Sequence, residues 1–160
     1  MNRKRAKIDR IKQRIEQEIG PPMPVGGQRI ALAYPSPYRA GMSSLGYQWI
    51  LRRLRESGIN AERCFLPDDV QNARRRGEVP ITYETRSPLS QFPLIAISLA
   101  YELELAGMLE LLDLAGIPAL RSERGPHDPI ILLGGPLTMS NPLPAAPFVD
   151  AMLLGEADET

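Results

Sequence analysis

Cysteine is nearly missing from this 160-residue chain: Cys64 is the only one. A single thiol excludes an internal disulfide. Histidine is as scarce, with His127 alone. A lone His with no Cys or His neighbour is no metal site, and Gly125-Pro126-His127-Asp128-Pro129 reads as a surface turn. No run is long and apolar enough for a membrane span or for the core of a secretion signal. The residues after Met1 are charged, so a reducing, cytoplasmic setting is expected, with no membrane partner. Charge of one sign is also lacking: 19 basic residues balance 19 acidic ones. The overall electrostatic reason to expect nucleic acid is therefore absent. Two nucleotide signatures are missing too. Gly41 and Gly46 find no third glycine for Gly-x-Gly-x-x-Gly, and no Gly-Lys-Ser/Thr occurs. No repeat of fixed period is visible.

What is present is a core. Hydrophobic residues make up 43% of the chain. A chain of this length can bury roughly 70% of its unfolded surface in one domain. Its opening is different in kind. Residues 3–19 form an amphipathic, basic pattern in which Ile8, Ile11, Ile15 and Ile19 recur on one helical face. The stripe suggests docking on protein, and the helix has no aromatic residue of the sort that nucleic-acid sites combine with basic ones. Gly20-Pro21-Pro22 stops it. The expected organisation is a basic helix over 1–20, a linker over 21–28 and an α/β domain over 29–160.

Within that domain apolar runs alternate with helical patterns. Ile30–Tyr34, Asn60–Leu66, Leu94–Leu99, Ile130–Leu133 and Ala151–Leu154 read as buried strands, with Cys64 as a buried structural thiol. Ser44–Ser57 and Glu102–Leu114 read as helices, the first offering Leu45, Trp49, Leu51 and Leu54 for packing. Asp68–Arg76 reads as a short exposed helix, Ile81-Thr82-Tyr83 as an extended piece, and residues 137–148 as loop-rich. Alternation of this kind implies βαβ units with right-handed crossovers and an open parallel sheet flanked by helices. After the last strand only Gly155 to Thr160 remain, where an alternating fold calls for another helix or another domain.

Ligands of open parallel sheets bind outside the carboxyl ends of the strands. Four stretches fall there: Pro35–Gly46, Ser98–Glu102, Gly134–Pro142 and Gly155–Glu159. All are rich in residues that permit close backbone approach or offer small polar groups. Tyr38 and Arg39 follow the first strand with no evident structural need. Glu102 and Glu104 could face the same edge, although attraction to a helix N-terminus explains them as well. Glu156, Asp158 and Glu159 make an acidic tip.

The residues in these stretches carry a resemblance. The segments Ala33–Gly46, Ile97–Leu103, Leu112–Pro118, Gly134-Gly135-Pro136 and Leu154–Glu159, in that order, resemble the N-terminal cobalamin-binding-like domain of radical S-adenosylmethionine (radical SAM) proteins. The likeness covers about residues 28–160 and implies a flavodoxin-like fold of the cobalamin-binding type. It implies cofactor-binding positions at Ser36, Tyr38, Arg39, Gly41, Ser98, Tyr101, Glu102, Gly134, Gly135, Gly155 and Glu156. No catalytic or metal-ligating residue is expected in the chain. Cobalamin-binding domains with a cobalt-ligating His carry Asp-x-His-x-x-Gly after the first strand. Here Gly41 keeps the glycine, but Ser36 and Tyr38 stand where Asp and His would be. A neutral phenol is a poor substitute for imidazole. Two readings follow: cobalamin held without a protein axial ligand, or a noncatalytic docking or substrate-recognition module of the same fold. A flavin or nucleotide binder is a third. The iron–sulfur cluster and S-adenosylmethionine of a radical enzyme need three cysteines. They belong to an expected downstream radical SAM domain, which the resemblance makes a partner alongside cobalamin.

Overall fold

A computed structural model describes residues 2–20, 23–24 and 26–155. It contains five parallel strands: β1 (Arg29–Tyr34), β2 (Asn60–Phe65), β3 (Leu94–Ser98), β4 (Ile130–Gly134) and β5 (Ala151–Met152), in the spatial order β2-β1-β3-β4-β5. The helices are α1 (Asn2–Glu16), α2 (Tyr38–Gly41), α3 (Leu45–Glu56), α4 (Val70–Arg75), α5 (Glu104–Ala115) and α6 (Leu137–Ser140). Single 3-10 stretches cover Leu89–Gln91, Arg121–Glu123 and Leu143–Phe148. This is the expected open parallel α/β architecture, with a flavodoxin-like strand order and a helix ahead of it.

The sheet separates two cores. On one side Ala31, Ala33, Cys64, Ile95, Ile97, Ile131 and Leu133 meet Met108, Leu111 and Leu112 of α5. On the other, Ile30, Leu32, Tyr34, Ala61 and Phe65 meet Tyr47 and Leu51 of α3 and Ile11 of α1. Truncating one such enclosed leucine to alanine typically costs about 2–5 kcal/mol.

The isoleucine stripe of α1 is used in part: Ile11 is buried and Ile15 packs beside it, while Ile19, beyond the helix end, is fully exposed. α3 starts at Ser44, whose side chain accepts the Tyr47 N–H. Such a cap contributes about 1 kcal/mol. The helix is rotated from the expected packing. Tyr47 and Leu51 point inward, whereas Leu45 and Trp49 lie outside. Tyr47 wins the interior because its hydroxyl reaches the Leu32 carbonyl at 2.9 Å, which satisfies the one polar atom of a large apolar side chain. α5 ends on Gly116, whose φ of 69° makes the left-handed cap.

β2 is an edge strand that buries two charged residues, Glu62 and Arg63. Residues 80–88 fold along it and supply partners. Thr82 and Thr85 hydroxyls and Arg29 donate to Glu62. Arg63 meets Glu84 and Glu18, each at 2.6 Å. The Tyr83 N–H donates to the Arg63 carbonyl, and Glu84 Oε2 accepts the Arg63 N–H. The outer edge of β2 is thereby occupied.

Candidate functional site

The strand order places the topological switch point between β1 and β3, where chains leave in opposite directions. The segment after β1 does not stay there. Tyr38 stacks on Tyr83 with centroids 5.1 Å apart and meets Phe65 edge-on. Its hydroxyl donates to Glu18 Oε1 at 2.7 Å, and the Arg14 guanidinium lies 4.4 Å above its ring. Burial, then the bond to Glu18, push the Tyr38 phenol up to about 12. The structural need absent from the sequence reading is therefore real: Tyr38 fastens α1 to the β2 flank. Gly41 serves the same packing, since a Cβ there would collide with the Phe65 ring. Arg39 is exposed and its carbonyl accepts the Ser43 hydroxyl. The Ser36 carbonyl accepts the Leu66 N–H at 3.2 Å, tying this loop to the end of β2.

The other predicted residues gather two strands away. Ser98 and Gly134 are register partners at the carboxyl ends of β3 and β4, both half-buried. The Leu99 N–H donates to the Gly134 carbonyl, and the Leu99 carbonyl accepts the Leu137 N–H. Gly135 has φ 102°, and a Cβ on it would lie 2.5 Å from the Leu99 carbonyl oxygen. Its glycine is required by the backbone. Gly134 is different: a Cβ there would meet nothing within 4 Å. Gly155 also has open space around it but at a φ of 105°, so among the predicted glycines Gly134 is the one with both room for a side chain and no left-handed backbone. Thr138 bonds the Gly135 carbonyl through both its N–H and its hydroxyl, which fixes the loop after β4.

Tyr101 and Glu102 are exposed on the loop after β3. The buried carboxylate is Glu104 instead, whose Oε2 accepts the Ala100 N–H at 2.6 Å. Tyr34, the last residue of β1, joins it. Burial and then a hydrogen bond with Glu104 push the Tyr34 phenol up to about 12. Tyr34 and Glu104 thus lie at the β1/β3 switch point. The sequence signal for Glu104 was its place in the first turn of a helix behind a strand end. Tyr34 was hidden in an apolar run. Gly155 is exposed, with φ 105°, and Glu156 lies outside the described residues. Apolar side chains also stand out on the segments after these strands: Leu103 is 82% exposed, Leu143 76%, Leu154 69% and Met139 60%.

His127 is exposed in its turn, and the Cys64 thiol is buried, which pushes its pKa up to about 12. Among the described residues no group of three or more His, Cys, Asp or Glu is placed to hold a metal ion, and no helix is long and apolar enough to cross a membrane.

An open parallel sheet with polar and glycine loops at its carboxyl edge defines a large class of ligand-binding and accessory domains. Within that class, the family described as radical SAM proteins, N-terminal, matches residues 46–160, and the chain belongs to it. Comparison with curated proteins gives no match.

Proposed function

We propose that the chain is an accessory, noncatalytic domain of a radical SAM protein that holds a corrin at the carboxyl ends of β3 and β4 without a protein ligand to cobalt. The supporting observation is the Ser98–Gly134 pair, with open space where Gly134 lacks a side chain. Ser98 would offer its hydroxyl to the cofactor's polar tail, and Gly134 would let that tail approach the backbone. The Leu99 and Gly135 contacts hold both residues in place before any ligand arrives. When bound, cobalamin supplies a cobalt centre able to carry a methyl group. Tyr38 takes no part in holding it, because Glu18, Arg14 and Tyr83 engage its ring and hydroxyl on the far flank.

The test is reconstitution with hydroxocobalamin, desalting and a visible spectrum. Retained corrin absorbance that falls at least about tenfold in Gly134→Leu, with unchanged circular dichroism, is expected. A folded protein that retains no corrin sinks the reading.

A second reading is favoured by the apolar rim. Leu103, Met139, Leu143 and Leu154 lie exposed on the segments that follow β3, β4 and β5. They fit an edge that docks on the downstream radical SAM domain or its substrate. Exposed apolar patches mark interaction surfaces. Corrin-free protein that binds the separately purified radical domain, and loses this binding in Leu103→Asp, is the outcome that reading requires.

A further inference from the structure

A groove of about 1140 Å³ lies on the β2 flank, between the end of α1 and α3. No residue of β3, β4 or β5 lines it. Its walls are apolar: Ile15 and Ile19 come from the end of α1, Leu45 and Trp49 from α3. Ile19, Leu45 and Trp49 are all exposed. Gly46 leaves a gap beside Leu45, since a Cβ there would meet nothing within 4 Å.

The floor of the groove is ionic and buried. The Arg63 side chain is 3% exposed, and those of Arg55 and Glu84 are 9% exposed each. Glu84 Oε1 accepts from Arg55 Nη2 at 2.7 Å and from Arg63 Nε at 2.6 Å. One oxygen thus pins two guanidinium groups side by side. Glu18 takes Arg63 Nη1, and the Ala61 carbonyl takes Nε and Nη2 of Arg55. Two nitrogens are left over. Among the described residues, Arg55 Nη1 and Arg63 Nη2 make no hydrogen bond. The enclosed side-chain atoms that lack a bond are Asn60 Oδ1 and Arg124 Nε, so these two nitrogens reach solvent. Both side chains line the groove, which is the opening available to them. Unused donors on a buried cation are costly, and an acceptor placed there gains from both.

The charges select the acceptor. Arg52, Arg55 and Arg63 line the groove with Glu18 and Glu84, three cations against two anions, which leaves one positive charge over. Adding Arg53 and the Glu56 that it shares with Arg52 leaves the same surplus. A monoanion balances it, whereas a phosphate dianion would overshoot beside two carboxylates. A carboxylate also matches the geometry of guanidinium donors. The walls ask for an apolar body. From Leu45 to Arg55, α3 gives the groove a length of about 15 Å, enough for an extended hydrocarbon chain. We propose that the groove binds a monocarboxylic acid with a long apolar body, its carboxylate bridging Arg55 and Arg63 and its chain lying along Trp49 and Leu45. This site is separate from the Ser98–Gly134 edge and stands whether or not a corrin binds.

Trp49 is the only tryptophan of the chain and lines the groove, so its emission reports occupancy. Dodecanoate, kept below its micelle concentration, is titrated into the 160-residue chain, and dodecylamine, with the same chain and the opposite charge, is titrated in parallel. The expected result is single-site saturation by dodecanoate, with affinity at least about tenfold lower for dodecylamine. Gly46→Phe fills the gap from an exposed helix position. It should weaken dodecanoate binding at least about tenfold with circular dichroism unchanged. Arg55→Gln should bring the two ligands to within about threefold of each other. Where Arg55→Gln loosens the fold, the comparison of head groups and Gly46→Phe decide. No saturable change with dodecanoate, equal affinity for the two head groups, or binding indifferent to Gly46→Phe overturns the proposal.

Discussion

Gly134 and Gly135 are adjacent and chemically identical, but the fold asks different things of them. A side chain on Gly135 meets backbone atoms of Leu99 and sits at a φ that L-residues seldom adopt. Gly135→Ala is expected to lower stability by about 1–3 kcal/mol. Gly134→Ala meets nothing and is expected to change stability by less than about 1 kcal/mol. Urea unfolding of both variants checks this, and equal costs would contradict the assignment of Gly134 as the open position. The Gly-Gly pair itself was legible in the sequence. Which of its members the backbone needs was not, because that depends on Leu99, far away in the chain. Tyr38 teaches the same lesson in reverse. Its position after a strand marked it for a ligand, while Glu18, Arg14, Phe65 and Tyr83, from three other segments, give it a structural task.

At the scale of elements, the strands were readable because each is a short apolar run. β2 is the exception: Glu62 and Arg63 look like surface residues in the sequence and are enclosed in the structure. Their partners, Glu18, Thr82, Glu84 and Thr85, lie twenty or more residues away along the chain. No local pattern announces them. The short α2 and the 3-10 stretches escaped for a related reason, since three to six residues carry too little periodicity to read. The network makes a prediction. Arg63→Ala leaves Glu84 with one guanidinium fewer in a buried site, where Arg55 alone remains at 2.7 Å. A loss of about 3–5 kcal/mol is expected. The double variant Arg63→Met/Glu84→Gln should recover part of it, because the Glu84 carboxylate is then gone too, while Glu18 keeps the Tyr38 hydroxyl and Arg55 keeps the Ala61 carbonyl. A double variant as unstable as the simple sum of its parts would show that the pair is not coupled.

For the whole molecule, the buried ionisable groups set limits on pH. Burial pushes the Glu62 carboxyl up, but bonds from Thr85 and Thr82 and the Arg29 guanidinium outweigh it and hold its pKa below the usual carboxylate value. Asp150 is likewise lowered: burial opposes, but the Ile131 N–H and Arg124 prevail. A lowered folded pKa means that the unfolded chain binds more protons in this range. Stability from these groups is therefore complete above about pH 4–5, the unfolded carboxylate range, and is lost as pH falls toward the folded values. On the alkaline side Cys64 acts oppositely. Its thiol titrates at about 8.5 when unfolded and at about 12 when buried, so stability falls as pH rises between the two. Urea unfolding from pH 3 to 10 should trace a dome, with a shallower acid limb in Glu62→Gln. An acid limb unchanged by that substitution would remove Glu62 from the account.

The occupied edge of β2 also gives the molecule a direction. On the β2 side, Tyr83 and Glu84 already use the backbone groups of Arg63 that another strand would need. A neighbouring chain cannot lengthen the sheet from that flank without first stripping residues 80–88 away. Strand pairing among the described residues can therefore start only from the β5 flank, and since each molecule then offers one open edge, two copies can join there but a third cannot, so assembly by this route stops at a pair.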